Sequence, residues 1–383
     1  MELVELGKVF KISSGGTPSR RKTEYYKDGN IPWVKTGDLK PKYINKAIDY
    51  ITEEGLNNSS AKLFPKETVL IAMYGATIGA TSILEIEAST NQACAAFLPT
   101  DKCTPLYLYY FFKGNQTEII RMGVGGAQPN ISAGLLKRVK IPLPPLETQK
   151  RIAAILDEAD KLRQLNQQLI QKYDALTQSL FLDMFGDPVT NPKGWEKVKF
   201  NEVGKLDRGK SKHRPRNAPE LLGGKYPLIQ TGDIANSGGY ITEYKSTYSE
   251  IGLAQSRMWE SGTLCITIAA NIAKTGILTF DACFPDSVVG FLPNEKTNAV
   301  FTQFWISFLQ KILEDSAPES AQKNINLSIL RDLDFLNPPI HLQTQFAERV
   351  QLIEAQKAQA QTALQKSDAL FNSLLQKAFK GAL

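Results

Sequence analysis

Apolar residues fall at Ile152, Ile155, Ala159, Leu162, Leu169, Tyr173, Leu176 and Leu180, three and four positions apart in turn, with Asn166 the one polar member of the series. That spacing predicts one long helix from Thr148 to about Gly186, with a coiled-coil seam along it. A seam needs a partner. Counting 194 residues forward supplies one, as Ile353, Gln356, Ala360, Ala363, Ser367, Leu370 and Leu374 on a second helical stretch from about Thr344 to Phe379. Asn166 either fixes the register of the pair, at a cost in stability, or faces a wet gap in the seam.

Before the first helix the pattern shortens. Ile31 to Lys35, Thr68 to Met73 and Ala80 to Leu84 read as short β-branched strands closed by Gly and Asp, and Pro105 to Gly114 reads as helical. No strand-helix-strand alternation calls for a doubly wound parallel sheet, so the expected class is α+β, with mixed α/β domains. Proline-rich breaks, Ile141-Pro142-Leu143-Pro144-Pro145-Leu146 and Asn337-Pro338-Pro339-Ile340, stand before the two helices, and Asp187-Pro188 to Trp195 reads as the linker after the first.

The same offset runs through the rest of the chain. Val4, Val9 and Gly15 recur as Val198, Val203 and Gly209, Thr36-Gly37-Asp38 as Thr231-Gly232-Asp233, and Phe97-Leu98-Pro99 as Phe291-Leu292-Pro293. Ile78 and Thr81 recur as Ile272 and Thr275, Ala127-Gln128 with Asn130-Ile131 as Ala321-Gln322 with Asn324-Ile325, Thr148-Gln149 as Thr344-Gln345, and Asp174-Ala175-Leu176 as Asp368-Ala369-Leu370. An offset held between 194 and 196 over half a chain is a duplication. The chain therefore divides into a domain at 1–146, a helix at 147–187, a second domain at 188–341 and a second helix at 342–383. This order predicts an antiparallel helix pair and a pseudo-two-fold internal repeat, because the ends of a compact domain commonly lie close together. A helix of 38 residues is roughly 55–60 Å long, and two readers on such a rod can address sites about one DNA turn apart, roughly 34–36 Å.

Composition narrows the chemistry. Of 383 residues, 42% are hydrophobic and 22% charged, ordinary for a globular protein with real cores. The start carries no basic region ahead of an apolar run, and no stretch reads as a membrane span, so a cytoplasmic location is expected. Four cysteines without C-x-x-C spacing and only two histidines leave little from which to build a metal site or a histidine-based catalytic group. The net charge is +6, and the helices hold as many acids as bases, so the surplus lies in the domains. It concentrates in Arg20-Arg21-Lys22 and in Arg208, Lys210, Lys212, Arg214 and Arg216. Such clusters point to a polyphosphate, nucleic acid first.

Two motifs tempt and fail. Gly204 to Ser211 satisfies G-x-x-x-x-G-K-S, but Pro215 and Pro219 stand where a phosphate-cradling helix has to propagate, and the counterpart Ser14-Gly15-Gly16-Thr17-Pro18 is no such loop. Asn337-Pro338-Pro339-Ile340 resembles the Asn-Pro-Pro-aromatic motif of DNA amino-methyltransferases. Isoleucine replaces the stacking aromatic, and no Gly-rich turn for S-adenosylmethionine accompanies it, so the segment reads as a hinge.

In order and in duplicate, Gly15-Gly16-Thr17-Pro18-Ser19-Arg20, the Ile31-to-Leu39 block, Gly75-to-Gly79, Asn91-Gln92, Gly125-to-Ser132 and Pro142-to-Gln149 resemble the specificity subunit of a type I restriction-modification system. The resemblance covers essentially the whole chain. It implies two target-recognition domains, each reading one half of a split DNA site, and two antiparallel helices that set the gap. It also implies no activity in the chain itself. Partners would be double-stranded DNA, two methyltransferase subunits and the motor-nuclease restriction subunits, with S-adenosylmethionine, ATP and Mg only on those partners, and no membrane. The alternatives are a specificity subunit of a fused, type II-like restriction-methylation enzyme, a P-loop NTPase with DNA-binding domains, and a coiled-coil adaptor without DNA contact.

Domains that read different bases differ where they read, so the candidate DNA-binding residues are the positions at which the repeats diverge. They are Thr17, Ser19, Arg20, Arg21, Lys22, Lys35, Tyr74 and Thr77 in the first domain, and Arg208, Lys210, Lys212, His213, Arg214, Arg216, Gln230 and Asn271 in the second. Arg and Lys pair with guanine edges and Asn or Gln with adenine in the major groove. At least half of all such contacts go to phosphate. Shared features such as the Thr-Gly-Asp turns are framework.

Overall fold

The computed structural model describes residues 2–123, 130–269, 271–316 and 325–383. The Gly125-to-Pro129 part of the glycine-rich motif, with Ala127-Gln128 and its image Ala321-Gln322 and Asn324, lies outside them. The chain forms two compact units, Met1–Gln168 with Ala360–Leu383, and Leu169–Gln359.

The first unit is built on two sheets. One has five strands in the order Ile12–Ser14, Cys94–Phe97, Val69–Ala72, Thr81–Leu84 and Tyr43–Ile44, antiparallel except for the last pair. The other has four, in the order Asp49–Ile51, Ile31–Val34, Ala88–Thr90 and Leu63–Phe64, with its middle pair parallel. The second unit repeats both strand for strand. Gly204–Arg208, Val288–Pro293, Leu264–Thr267, Thr275–Leu278 and Tyr240–Ile241 form the five-stranded sheet, and Ser246–Tyr248, Leu222–Leu228, Ala282–Cys283 and Met258–Trp259 the four-stranded one. Equal strand orders in both units are the structural form of the duplication.

The central strands are buried on both faces, which is why they read as unbroken apolar runs rather than alternating ones. In Val69–Ala72, Val69 and Ile71 face a core shared with the helix Pro105–Arg121, while Leu70 and Ala72 face the core under the four-stranded sheet. Leu264 and Ile266 against Cys265 divide the same way in the second unit. The helix Pro105–Arg121 starts where Thr104 accepts the Tyr107 amide and proline occupies the first turn.

The long helices run Leu146–Phe185 and Ile340–Lys380. Each follows a Pro-Pro pair and ends at a glycine of positive φ, Gly186 at 78° and Gly381 at 79°, the left-handed residue that closes a helix. One buried glutamine ties each start to its domain. Gln149 accepts the Thr104 amide at 3.0 Å and donates to the carbonyls of Lys102 and Pro144, each at 2.9 Å. Gln343 accepts the Thr297 hydroxyl at 2.7 Å and donates to Lys296 and Pro338 at 3.0 and 2.8 Å. The structural image of Gln149 is therefore Gln343, 194 residues on, and not Gln345 as the Thr-Gln repetition suggests.

Within each unit the two helices pair antiparallel. In the first, Arg163 lies 2.7 Å from Asp368 and 4.7 Å over the Phe371 ring, and Asn166 donates to the Ser367 hydroxyl at 3.3 Å. In the second, Lys357 lies 2.6 Å from Asp174, and Phe181 and Phe185 meet Phe346, both at 5.5 Å. Since 163 + 194 = 357 and 174 + 194 = 368, the two ion pairs are images of each other. Asn166 thus meets a polar partner, Ser367, on the other helix.

The seam differs in phase from its sequence expectation. Ile152, Ala159 and Ala360 are buried, and Asn166, Tyr173, Leu180, Ile353, Ala363 and Leu374 half-buried. Ile155, Leu162, Leu169, Leu176 and Leu370 are instead 38–49% exposed. Their inward places are taken by the next residue along, Leu156, Arg163, Ile170, Thr177 and Phe371. The inner face must pack on the domain as well as on the other helix, so Ile152, Ala153 and Leu156 join one core with Phe371, Leu375 and Ala378. Counting only apolar residues missed Arg163 and Thr177, which lie inward through polar bonds.

Candidate nucleic-acid interface

Strand register decides which loops meet. In the first unit the pairings Ala95 with Ser14, Cys94 with Ala72 and Ile71 with Thr81 bring the segments after Ser14, before Cys94 and between Ala72 and Thr81 to one end of the five-stranded sheet. The parallel pair Val34 with Thr90 sends Lys35 and Asn91 to that end too, where the Asn91 amide donates to the Val34 carbonyl at 3.0 Å. Thr17, Lys35, Tyr74 and Thr77 are thus gathered from separate stretches. The Thr17 hydroxyl donates to the side-chain carbonyl of exposed Gln92. Gly15 and Gly16 make the close approach possible, since a Cβ at Gly15 would stand 2.0 Å from the Thr90 carbonyl and one at Gly16 2.3 Å from the Ser60 backbone.

Ser19, Arg20 and Arg21 are exposed on the same loop, which the Tyr26 hydroxyl holds by its 2.5 Å bond to the Pro18 carbonyl. Two of the basic candidates are engaged elsewhere. Lys22 donates to the Tyr25 hydroxyl at 2.8 Å, and the Lys35 ammonium pairs with Asp49. The Thr-Gly-Asp turns are built alike in both units, with Asp38 accepting the Lys35 amide at 2.8 Å and Asp233 that of Gln230 at 2.9 Å.

The equivalent end of the second unit carries more charge. Arg208, Lys210, Lys212, His213, Arg214, Arg216, Gln230 and Asn271 are all exposed. Three arginines converge on one residue: Arg216 and Arg214 lie 2.5 and 3.7 Å from the Asp286 carboxylate, and Arg208 Nε donates to its backbone carbonyl at 2.9 Å. Gln255 Oε1 accepts the amides of Lys212 and His213 at 2.6 and 3.0 Å, fixing the loop between them. The His213 ring stands 3.9 Å from Glu220. Asn271 occupies the turn between Leu264–Thr267 and Thr275–Leu278, the counterpart of the Tyr74–Thr77 turn.

Asp286 and Gln92 are the residues that the sequence pattern left out, although they stand 194 apart and unlike, the signal used for the others. One carboxylate under the Arg214 and Arg216 guanidinium groups both aims them and cancels part of their charge. Asp286→Asn is expected to tighten binding to non-specific duplex and to steepen the dependence of log affinity on log salt by about one. Fluorescence anisotropy at graded salt measures this, and an unchanged slope would mean that Asp286 does not restrain the arginines.

The phosphate-loop pattern has no phosphate loop. Gly204–Arg208 is itself a strand, paired with Val289 to Pro293, and no helix begins at Ser211; the next element is a single 3-10 turn at Pro219–Leu221. Burial pushes the thiols of Cys94 and Cys103 up to about 12 and raises those of Cys265 and Cys283, so none is a ready nucleophile. Among the described residues no His, Cys, Asp or Glu cluster is placed to hold a metal, and no helix is long and apolar enough to cross a membrane.

Residues 1–173 and 192–366 each match the family described as "Type I restriction modification DNA specificity domain". The chain is 32% identical over 167 residues to the EcoR124I/EcoR124II specificity subunit of Escherichia coli, covering 42% of this chain and 41% of that one. It is 28% identical over 270 residues to the MjaIX specificity subunit of Methanocaldococcus jannaschii, covering 65% and 61%. These matches thus span less than two thirds of either relative; the EcoBI specificity subunit of E. coli aligns over 83% of this chain and 74% of its own length, at 25% identity. Among solved structures, the type I restriction-modification S subunit from M. genitalium has a TM-score of 0.61 at 16% identity, covering 99% of this chain and 96% of that one. A chain from a study of complex assembly in the type I system has a TM-score of 0.63 at 16% identity, covering 100% and 98%. At that identity the likeness is one of fold.

Proposed function

The chain belongs to the family of type I restriction-modification DNA specificity domains, and from that premise we propose that it is the sequence-reading subunit of a restriction-modification complex. Each domain reads one half of a split duplex site through the loop end described above. The long helices set the gap between half-sites and carry the docking faces for two methyltransferase subunits, to which motor-nuclease subunits add. Exposed Ile155, Leu162, Leu169 and Leu176 are among the apolar positions on the first helix that such docking would cover. The chain itself catalyses nothing. S-adenosylmethionine, ATP and Mg belong to the partners, and the complex works in the cytoplasm.

The observation that carries this reading is the contrast between a shared frame and unlike loops. The same strand order and the same Thr-Gly-Asp turns present Thr17, Gln92 and Arg20 in one unit but Ser211, Asp286 and the arginine cluster in the other. Two readers of different half-sites need that arrangement. Partner exchange between type I and fused type II-like enzymes would leave it unchanged.

Duplex binding at graded salt tests the reading. Log affinity is expected to fall linearly with log salt, at a slope of about 0.9 per phosphate contacted. Binding that salt does not weaken, or no binding at all, would leave the fold standing without this function.

A further inference from the structure

The two reading ends differ in one place by more than their charges. In the first unit Trp33 is 3% exposed, donates its indole N–H to the Gly16 carbonyl at 3.1 Å, and packs edge-on to Tyr26 at 5.9 Å. The strand pairings place Leu228 at the equivalent position: Trp33 pairs with Ser89, and Leu228 with Cys283, 194 residues after Ser89. The smaller side chain leaves an open cavity of about 270 Å³ in the second unit. Leu228, Tyr248 and Pro285 give it apolar walls, and Ser211, Asn217 and Gln230 a polar edge.

The polar edge holds an unused group. Ser211 is 6% exposed, and its hydroxyl is buried without a hydrogen-bond partner. Its counterpart Thr17 donates to Gln92, but the residue in the place of Gln92 is Asp286, which is taken by Arg214 and Arg216. A buried hydroxyl left over at the lip of a cavity is costly unless something else completes it.

From this, and resting on the reading of the chain as a DNA-specificity subunit, we infer that the cavity between Leu228, Tyr248 and Pro285 takes one nucleobase swung out of the half-site read by the second domain. The cavity is below the roughly 300–1,000 Å³ of sites for drug-sized ligands, which leaves room for one small planar group. Apolar walls and a hydrogen-bonding edge are what an extruded base requires. Arg216 also lines the cavity and lies beside Arg214 at Asp286, so the cations that hold a phosphate backbone stand at its mouth. The first domain, with the place filled by Trp33, reads its half-site without extruding a base.

The test uses the full chain co-purified with its methyltransferase subunits and a duplex carrying the methylated site. Fluorescent base analogues, 2-aminopurine or, at pyrimidine positions, pyrrolocytosine, are placed one at a time along the second half-site. A several-fold rise in emission on binding is expected at one position. Leu228→Trp, which copies the first domain, abolishes it; Ser211→Ala, which removes a hydroxyl that bonds to nothing in the fold, lowers it without lowering the melting temperature. Methyltransferases extrude their own target base, so a rise that persists in both variants belongs to the partner and overturns the inference. No rise at any position of a duplex that binds also overturns it while leaving the functional reading intact. Absence of both methylation and binding overturns the two together.

Discussion

Arg214→Glu combined with Arg216→Glu lowers affinity for the specific duplex by about 30-fold to 10⁴-fold. Each lost arginine contact to DNA is worth about 1–3 kcal/mol, and every 1.4 kcal/mol is about tenfold. The double reversal also deprives Asp286 of the two cations now 2.5 and 3.7 Å away, so three carboxylates stand where DNA approaches. The slope of log affinity against log salt becomes shallower by about two, one for each phosphate-facing cation removed. Folding is unaffected, because both side chains are exposed. Anisotropy titrations measure affinity and slope together. Unchanged affinity would mean that the second domain meets DNA elsewhere or not at all, as a coiled-coil adaptor would.

Gln149→Ala has the largest expected effect on stability. The side chain is fully buried, and its loss leaves the Thr104 amide and the carbonyls of Lys102 and Pro144 without this partner. Leaving a buried polar group unpaired costs about 1–3 kcal/mol, so the variant loses about 3 kcal/mol or more. For a unit of this size each 1 kcal/mol shifts the melting temperature by about 2–4 °C, a drop of roughly 6–12 °C. Gln343→Ala is expected to lose a similar amount in the second unit, since it strands an equivalent set. Scanning calorimetry separates the cases, and a drop of under about 2 °C in both would remove the glutamines from the account of how each helix is tied to its domain.

Period and repetition were the legible parts of the sequence. The strands at Ile31–Val34, Val69–Ala72 and Thr81–Leu84, the helix from Pro105 and both long helices all have local signatures, and the duplication reappears as two equal strand orders. What stayed hidden depends on pairings between distant residues. A pattern of apolar positions skips Arg163 and Thr177, because polarity gives no sign of the bonds that hold them inward. The partner of Lys35, Asp49, belongs to the neighbouring strand, so no reading of the local sequence shows that this charge is compensated. The recurrence of Thr-Gln pairs Gln149 with Gln345, whereas the hydrogen bonds identify Gln343. Candidate reading residues could be chosen from unlikeness between the repeats, but Gln92 and Asp286 become part of the same surface only once strand register brings their loops beside Thr17 and Arg216.

In the function proposed above, two unlike domains on one frame each read half of a split site. The most direct measurement co-expresses the chain with methyltransferase subunits of the same genome and maps methylated bases across a DNA library, before and after residues 1–146 are exchanged for those of a relative. The account predicts a bipartite motif with a fixed unspecified gap, altered by the exchange in one half only. A motif that changes in both halves, or a single undivided site, would contradict it.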